Sequence, residues 1–244
     1  MTLLQKLIAS LGGIAIASGF GSWAAIAAGL PQPKSNQIAP QTGSSASEAT
    51  PTTPDDLFNR GALRITTGDF NGAIVDFSQV IQLDPQHIEA YCNRGVAYAL
   101  SGNGPRALAD FDQALQIDPQ HADAYDKRGT AYAQQGNFAA ALTNFNQAIA
   151  LDPNLLDAHY NRGIIYQLQA NYPAAMADFD QTIRLDPAVA EAYGRRGLVH
   201  QVLGELPAAV QDLQTAAQLF QQQGNQAGYQ QTLEFLNQVS TPTP

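Results

Sequence analysis

Five of the chain's nine arginines keep one spacing: Arg60, Arg94, Arg128, Arg162 and Arg196 follow one another every 34 residues. Sixteen residues after four of them stands an aspartate, at Asp76, Asp110, Asp178 and Asp212, and after Arg128 stands Asn144. An arginine facing a carboxylate can make a forked ion pair. A pair that is copied along the chain is architectural rather than catalytic. The four histidines offer little more. His87 and His121 share one repeated position beside Asp-Pro turns, and His159 and His200 stand elsewhere. A metal bridging His87 and His121 would need both within ligand reach, whereas successive helix pairs would hold them on the order of 10 Å apart. They are expected to be solvated turn residues, and no metal is expected. The single cysteine, Cys92, allows neither an intramolecular disulfide nor a thiolate metal site, and a packed thiol is the expectation. The chain has no Gly-x-Ser-x-Gly, no His-Glu-x-x-His and no Walker loop. Neither a catalytic residue nor a cofactor is expected, so the reading is of a protein that is not an enzyme.

Charge narrows the partners. The formal net charge is −9, and Lys6, Lys34 and Lys127 are the only lysines. Nucleic acids and anionic membrane surfaces are held through clustered Lys and Arg. No such cluster exists, so a protein partner is expected instead.

The elements that position these residues follow from the 34-residue period. Asp-Pro recurs at Asp84-Pro85, Asp118-Pro119, Asp152-Pro153 and Asp186-Pro187; Ala73, Ala107, Ala141, Ala175 and Ala209 keep the same phase, as do Phe77, Phe111, Phe145, Phe179 and Leu213. Each unit reads as two helices. In the second unit Tyr91, Gly95 and Tyr98 share one face of a first helix over about 88–101, Gly102-Asn103 ends it, and a second helix starts near Pro105. Folding back at Gly102 brings Arg94 level with Asp110, and likewise Arg60 with Asp76, Arg162 with Asp178 and Arg196 with Asp212. It also brings Gly95 close to Ala107, where small residues allow close packing.

The recurring pattern Tyr91, Gly95, Tyr98, Ala107, Phe111, Ala114, Pro119, repeated at Tyr125, Gly129, Tyr132, Ala141, Phe145, Ala148, Pro153, resembles the tetratricopeptide repeat (TPR). The fourth unit departs from it at His159, Ala170 and Thr182. The first departs at Leu57, Arg64 and Val80, and the fifth at His200 and Leu213. The Asn-Arg-Gly and Leu-Asp-Pro variants look like those of cyanobacterial TPR proteins. The resemblance implies an all-α, right-handed superhelical solenoid of five helix-turn-helix repeats over 55–223, closed by a capping helix within 224–244. In that helix Tyr229, Leu233 and Leu236 lie on one face.

The resemblance also implies a concave groove lined by first helices, which binds a peptide or amphipathic helix of a partner. By register the lining rows are Phe58, Cys92, Asp126, Tyr160 and Gly194; Ala62, Val96, Thr130, Ile164 and Leu198; and Thr66, Leu100, Gln134, Leu168 and Val202. Asp55, Glu89, Asp123, Asp157 and Glu191 form an acidic rim. One TPR subfamily grips C-terminal carboxylates with Lys, Asn and Arg. These rows hold none of those types, so an apolar groove for a basic-flanked segment is expected.

Upstream, one positive side chain (Lys6) precedes 24 uncharged residues from Leu7 to Leu30, which end in the small residues Ala25-Ile26-Ala27. Residues 1–30 read as a signal peptide cut before Ala28, with a retained membrane anchor as the alternative. Cleavage implies an exported chain. Residues 31–54, rich in Pro, Ser and Thr, read as a flexible spacer. Two alternatives stand beside an exported scaffold: a membrane-anchored assembly factor, and a self-associating homo-oligomer.

Overall fold

The computed structural model describes residues 53–240. The signal or anchor segment 1–30, the spacer up to residue 52 and the tail after Ser240 lie outside the described residues.

Eleven helices follow in chain order: α1 (Pro54–Thr67), α2 (Phe70–Leu83), α3 (Ile88–Leu100), α4 (Gly104–Ile117), α5 (Ala122–Gln134), α6 (Phe138–Leu151), α7 (Leu156–Leu168), α8 (Tyr172–Leu185), α9 (Ala190–Leu203), α10 (Leu206–Gln222) and α11 (Gln226–Ser240). Each odd helix packs on the even helix that follows it, and each even helix on the next odd one. Odd helices also touch the next odd helix along, more closely than even helices approach one another. The odd helices therefore form the inner, concave layer and the even helices the outer one. The first helix begins at Pro54, capped by the Thr53 hydroxyl, so the last two residues assigned to the spacer belong to the helical unit.

Turn chemistry explains the punctuation. The first helix of four units ends at a glycine in the left-handed region: Gly68, Gly102, Gly136 and Gly204. In the fourth unit Ala170 takes that place with φ 57°, a conformation that costs an L side chain energy. Asp69, Asn103, Asn137 and Asn171 then cap the second helices. Asp84, Asp118, Asp152 and Asp186 each end a second helix, and their carboxylates accept the N–H two residues on, which holds the turn through the proline. His87 and His121 are half-buried caps rather than freely solvated turn residues: Nδ1 accepts from the N–H of Ala90 and of Ala124. Leu155 and Val189 fill the same position without a side-chain cap.

The core is one column copied five times. Phe77, Phe111, Phe145, Phe179 and Leu213 are fully buried, as are Ala73, Ala107, Ala141, Ala175 and Ala209. Each phenylalanine ring lies against the glycine of its own first helix. A Cβ on Gly95 would stand 2.7 Å from Phe111 Cε1, and one on Gly129 would stand 2.8 Å from Phe145 Cε1. The glycine is thus required by the phenylalanine ring, which corrects the expectation that it faces Ala107. At the first end of the stack Asp56 replaces the alanine that is buried at Ala90, Ala124, Ala158 and Ala192, while Leu63 is left 60% exposed. At the other end α11 covers α10, with Val239 and Thr232 buried.

Candidate functional site

The repeated arginines hold the two layers together. Arg60, Arg94, Arg162 and Arg196 each donate from Nε and Nη2 to both oxygens of Asp76, Asp110, Asp178 and Asp212, at 2.5–2.9 Å. In the third unit Arg128 Nε donates to Asn144 Oδ1 at 2.8 Å. The bonds to aspartate hold Arg94 and Arg162 protonated more firmly than usual, against the opposing effect of burial. Asp110 is pushed up by burial against the pull of Arg94.

A second set of bonds was not expected from sequence. Nη1 of Arg94, Arg128, Arg162 and Arg196 reaches sixteen residues backward, to Ser78 Oγ, Asp112 Oδ1, Asn146 Oδ1 and Asp180 Oδ1, at 2.6–3.1 Å. Each of these arginines therefore ties its own second helix to that of the preceding unit. In the first unit Arg64 adds bonds to Asp76 and to the Gly72 carbonyl. The fourth unit adds His159, whose ring nitrogens lie 3.2 Å from Asp178 Oδ1 and 3.0 Å from the Pro153 carbonyl oxygen.

The inner layer differs from the apolar groove that was expected. Val96 and Ile164 are fully buried, Cys92 is buried, and Tyr160 and Leu198 are 7% exposed. These residues are core, because neighbouring inner helices approach closely enough to enclose them. Burial pushes the Cys92 thiol up to about 12, so it is an unreactive packed thiol. Phe58, Leu100, Leu168 and Val202 remain half-buried, with Phe58 stacked on the His87 ring at 5.2 Å between centroids. The acidic positions Asp55, Glu89, Asp157 and Glu191 are exposed and Asp123 is half-buried.

The lining rows also left out a neighbouring column: Asn59, Asn93, Lys127, Asn161 and Arg195, again every 34 residues. It holds the Lys, Asn and Arg whose absence had excluded carboxylate gripping. The Asn-Arg-Gly triplet signals it, since the residue before each repeated arginine keeps the same 34-residue register. Asn161 Nδ2 donates to Asp126 Oδ1 at 3.2 Å and to Thr130 Oγ1 at 3.4 Å on the preceding inner helix. Lys127 Nζ is held by both oxygens of Asp123 at 2.5 Å. Burial disfavours the Lys127 ammonium, yet Asp123 outweighs that effect and raises its pKa. Burial raises the Tyr160 hydroxyl, with Arg195 opposing. Asn93, 3% exposed, has no hydrogen-bond partner for its carboxamide among the described residues. Asp126, 2% exposed, is raised to about 7, first by burial and then by Asp157, with Lys127 opposing.

No group of three His, Cys, Asp or Glu among the described residues could hold a metal ion, and no helix among them is long and apolar enough to cross a membrane.

A family model described as TPR repeat matches residues 61–102 and 129–170. Two described as tetratricopeptide repeat match 88–121 and 166–224. Among solved structures, the crystal structure of MamA is 27% identical with a TM-score of 0.58, covering 68% of this chain and 96% of that one. TTC0263, a thermophilic TPR protein of Thermus thermophilus, is 19% identical with a TM-score of 0.65 over 74% of this chain and 99% of that one. YrrB, described as a TPR protein with an unusual peptide-binding site, is 19% identical with a TM-score of 0.54, over 75% of this chain and 92% of that one. At that identity the last two show the fold alone. No curated protein matches the chain.

Proposed function

Because this chain belongs to the tetratricopeptide repeat family, we propose that it is a non-enzymatic interaction scaffold whose concave face receives an extended or helical segment of a partner protein. The observation that carries this reading is Asn93. The Asn93 carboxamide makes no hydrogen bond among the described residues, yet its polar atoms are not sealed from solvent, so they are open to a segment lying on this face. A bound segment would satisfy it through main-chain N–H and C=O groups. Phe58, Leu100, Leu168 and Val202 offer the apolar contact area beside it, and Asp55, Glu89, Asp157 and Glu191 the charged rim. The basic-flanked segment expected from sequence still suits this surface, with fewer apolar anchors. Residues 1–30 would export the chain; the mass of the mature N-terminus distinguishes a cut before Ala28 from a retained anchor.

Site-specific photocrosslinking tests the scaffold reading. A photoreactive phenylalanine at Leu168 should trap a partner in the native cell, and trapping should weaken when Asn93→Ala is added. The same probe at Val75, exposed on α2, should trap nothing comparable. Trapping at Val75 alone would move the binding surface to the outer layer and refute the reading.

A further inference from the structure

We propose that the concave face recognises one cationic side chain of its partner, an arginine guanidinium or a lysine ammonium, at Asp126. The proposal rests on the scaffold reading above and specifies which chemistry the partner must present.

Position is the first ground. Asp126 stands in the row of Phe58, Cys92, Tyr160 and Gly194, and is the only carboxylate in it. The other four units fold without an acid there, so the helix pair has no structural need for one.

Pairing is the second ground. Asp126 is 2% exposed. Its Oδ1 accepts from Asn161 at 3.2 Å, while its Oδ2 accepts no hydrogen bond and meets no cation within 4 Å among the described residues. Oδ2 is not sealed from solvent, so it keeps an open acceptor for a cation laid on this face. The neighbouring cation Lys127 is already engaged by Asp123.

Surrounding charge is the third ground. On this face Glu89, Asp123, Asp126, Asp157 and Glu191 outnumber Lys127 and Arg195, because the repeated arginines are held by aspartates of the outer helices. A carboxylate terminus or a phosphate would be repelled here, and a cation attracted. The types present in the Lys127 and Arg195 column therefore do not amount to a carboxylate grip.

A pH signature follows. The groups acting on Asp126 are Asp123 and Lys127 on its own helix and Asp157 and Asn161 on α7, while the titratable groups of α3 nearest in register are Glu89 and Cys92. On α4, Asp110 and Asp112 are taken by Arg94 and Arg128, and α6 has no titratable residue. In the free protein the carboxyl titrates at about 7. A bound cation favours the ionised form, so the proton leaves Asp126 for solvent on binding. Affinity should rise with pH below about 7, by up to about tenfold per unit, and level off above it.

The test uses the full chain and a phage-displayed library of short random peptides as the probe. Enriched peptides should share an arginine or lysine at one position. Replacing that residue by citrulline or norleucine, or making Asp126→Asn, should each weaken binding on the order of 10- to 100-fold. The two changes together should cost little more than either alone, and the variant should lose the rise with pH. Asp126→Ser and a melting curve for both variants separate lost recognition from lost folding. Peptides that bind Asp126→Asn as tightly as the parent overturn the proposal. Enriched peptides without a basic residue that block crosslinking from Leu168 overturn it and leave the scaffold reading standing. If no peptide is enriched, both fall.

Discussion

Replacing Asp126 by asparagine keeps the shape of the side chain and removes its charge. In the folded protein the carboxyl titrates at about 7; in the unfolded chain it returns to about 3.9. The folded state therefore holds a proton that the unfolded state releases. Below about pH 4 both states are protonated and the residue costs nothing. Between about pH 4 and pH 7 folding stability is progressively lost, and above about pH 7 the full cost is present. A shift of about three units corresponds to at most about 4 kcal/mol. Asparagine leaves an imperfectly paired amide in place of Oδ2, which gives back about 1–2 kcal/mol. The variant should thus be more stable than the parent by about 2–3 kcal/mol near pH 8 and less stable by about 1–2 kcal/mol near pH 4. Urea unfolding followed by far-UV circular dichroism at several pH values measures the difference. Equal differences at all pH values would refute the assignment of burial as the cause, and so would an asparagine variant that is less stable at pH 8. Combined with the peptide experiment, the expected result is a protein that gains stability as it loses recognition, as is common where a functional group is held at a structural cost.

Three further outcomes follow from the repeated contacts. Arg94→Ala leaves Asp110 buried without its cation and should cost about 3 kcal/mol, whereas Arg128→Ala, which faces the neutral Asn144 and an exposed Asp112, should cost about 1 kcal/mol; paired melting curves read the contrast. Gly129→Ala drives a methyl group into the Phe145 ring at 2.8 Å and should destabilise by about 1–3 kcal/mol in denaturant titration. Ala170→Gly relieves the φ of 57° and should stabilise by about 0.5–1 kcal/mol, and a lowered melting temperature would contradict that account.

The helix pairs were legible because three signals fall in one register. Glycine or asparagine after each first helix, Asp-Pro after the first four second helices, and the phenylalanine column all repeat every 34 residues. The forked arginine pairs could be read from the spacing of sixteen, since antiparallel helices that fold back at Gly102 bring Arg94 and Asp110 level. The same spacing read backward points to Ser78, Asp112, Asn146 and Asp180, but the four residue types differ. Only their shared ability to accept a hydrogen bond marks them as one position. Burial on the inner layer could not be read in this way. How far Ile164 or Val96 is covered depends on how tightly successive inner helices close on one another, and no residue within one repeat encodes that angle.

In a chain built by copying, constancy and variation along a column carry different information. The core column Phe77, Phe111, Phe145, Phe179 and Leu213 stays apolar because every unit must fill the same space. The arginine column stays constant because every unit must be tied to its outer helix. Neither column can distinguish one partner from another, since each presents the same chemistry in every unit. Selectivity has to come from positions where the units differ without loss of the fold. The row Phe58, Cys92, Asp126, Tyr160 and Gly194 varies most among the buried inner rows, and the column Asn93, Lys127, Asn161 and Arg195 varies beside it. Where the two meet, between α5 and α7, Asp126 touches Asn161 and lies beside Asp157 and Lys127. A partner aligned along the solenoid would meet an amide at Asn93, a carboxylate at Asp126 and a tyrosine with its arginine at Tyr160 and Arg195. That order is asymmetric, so under the proposed reading it would set both the direction of a bound segment and the unit against which its basic residue lies.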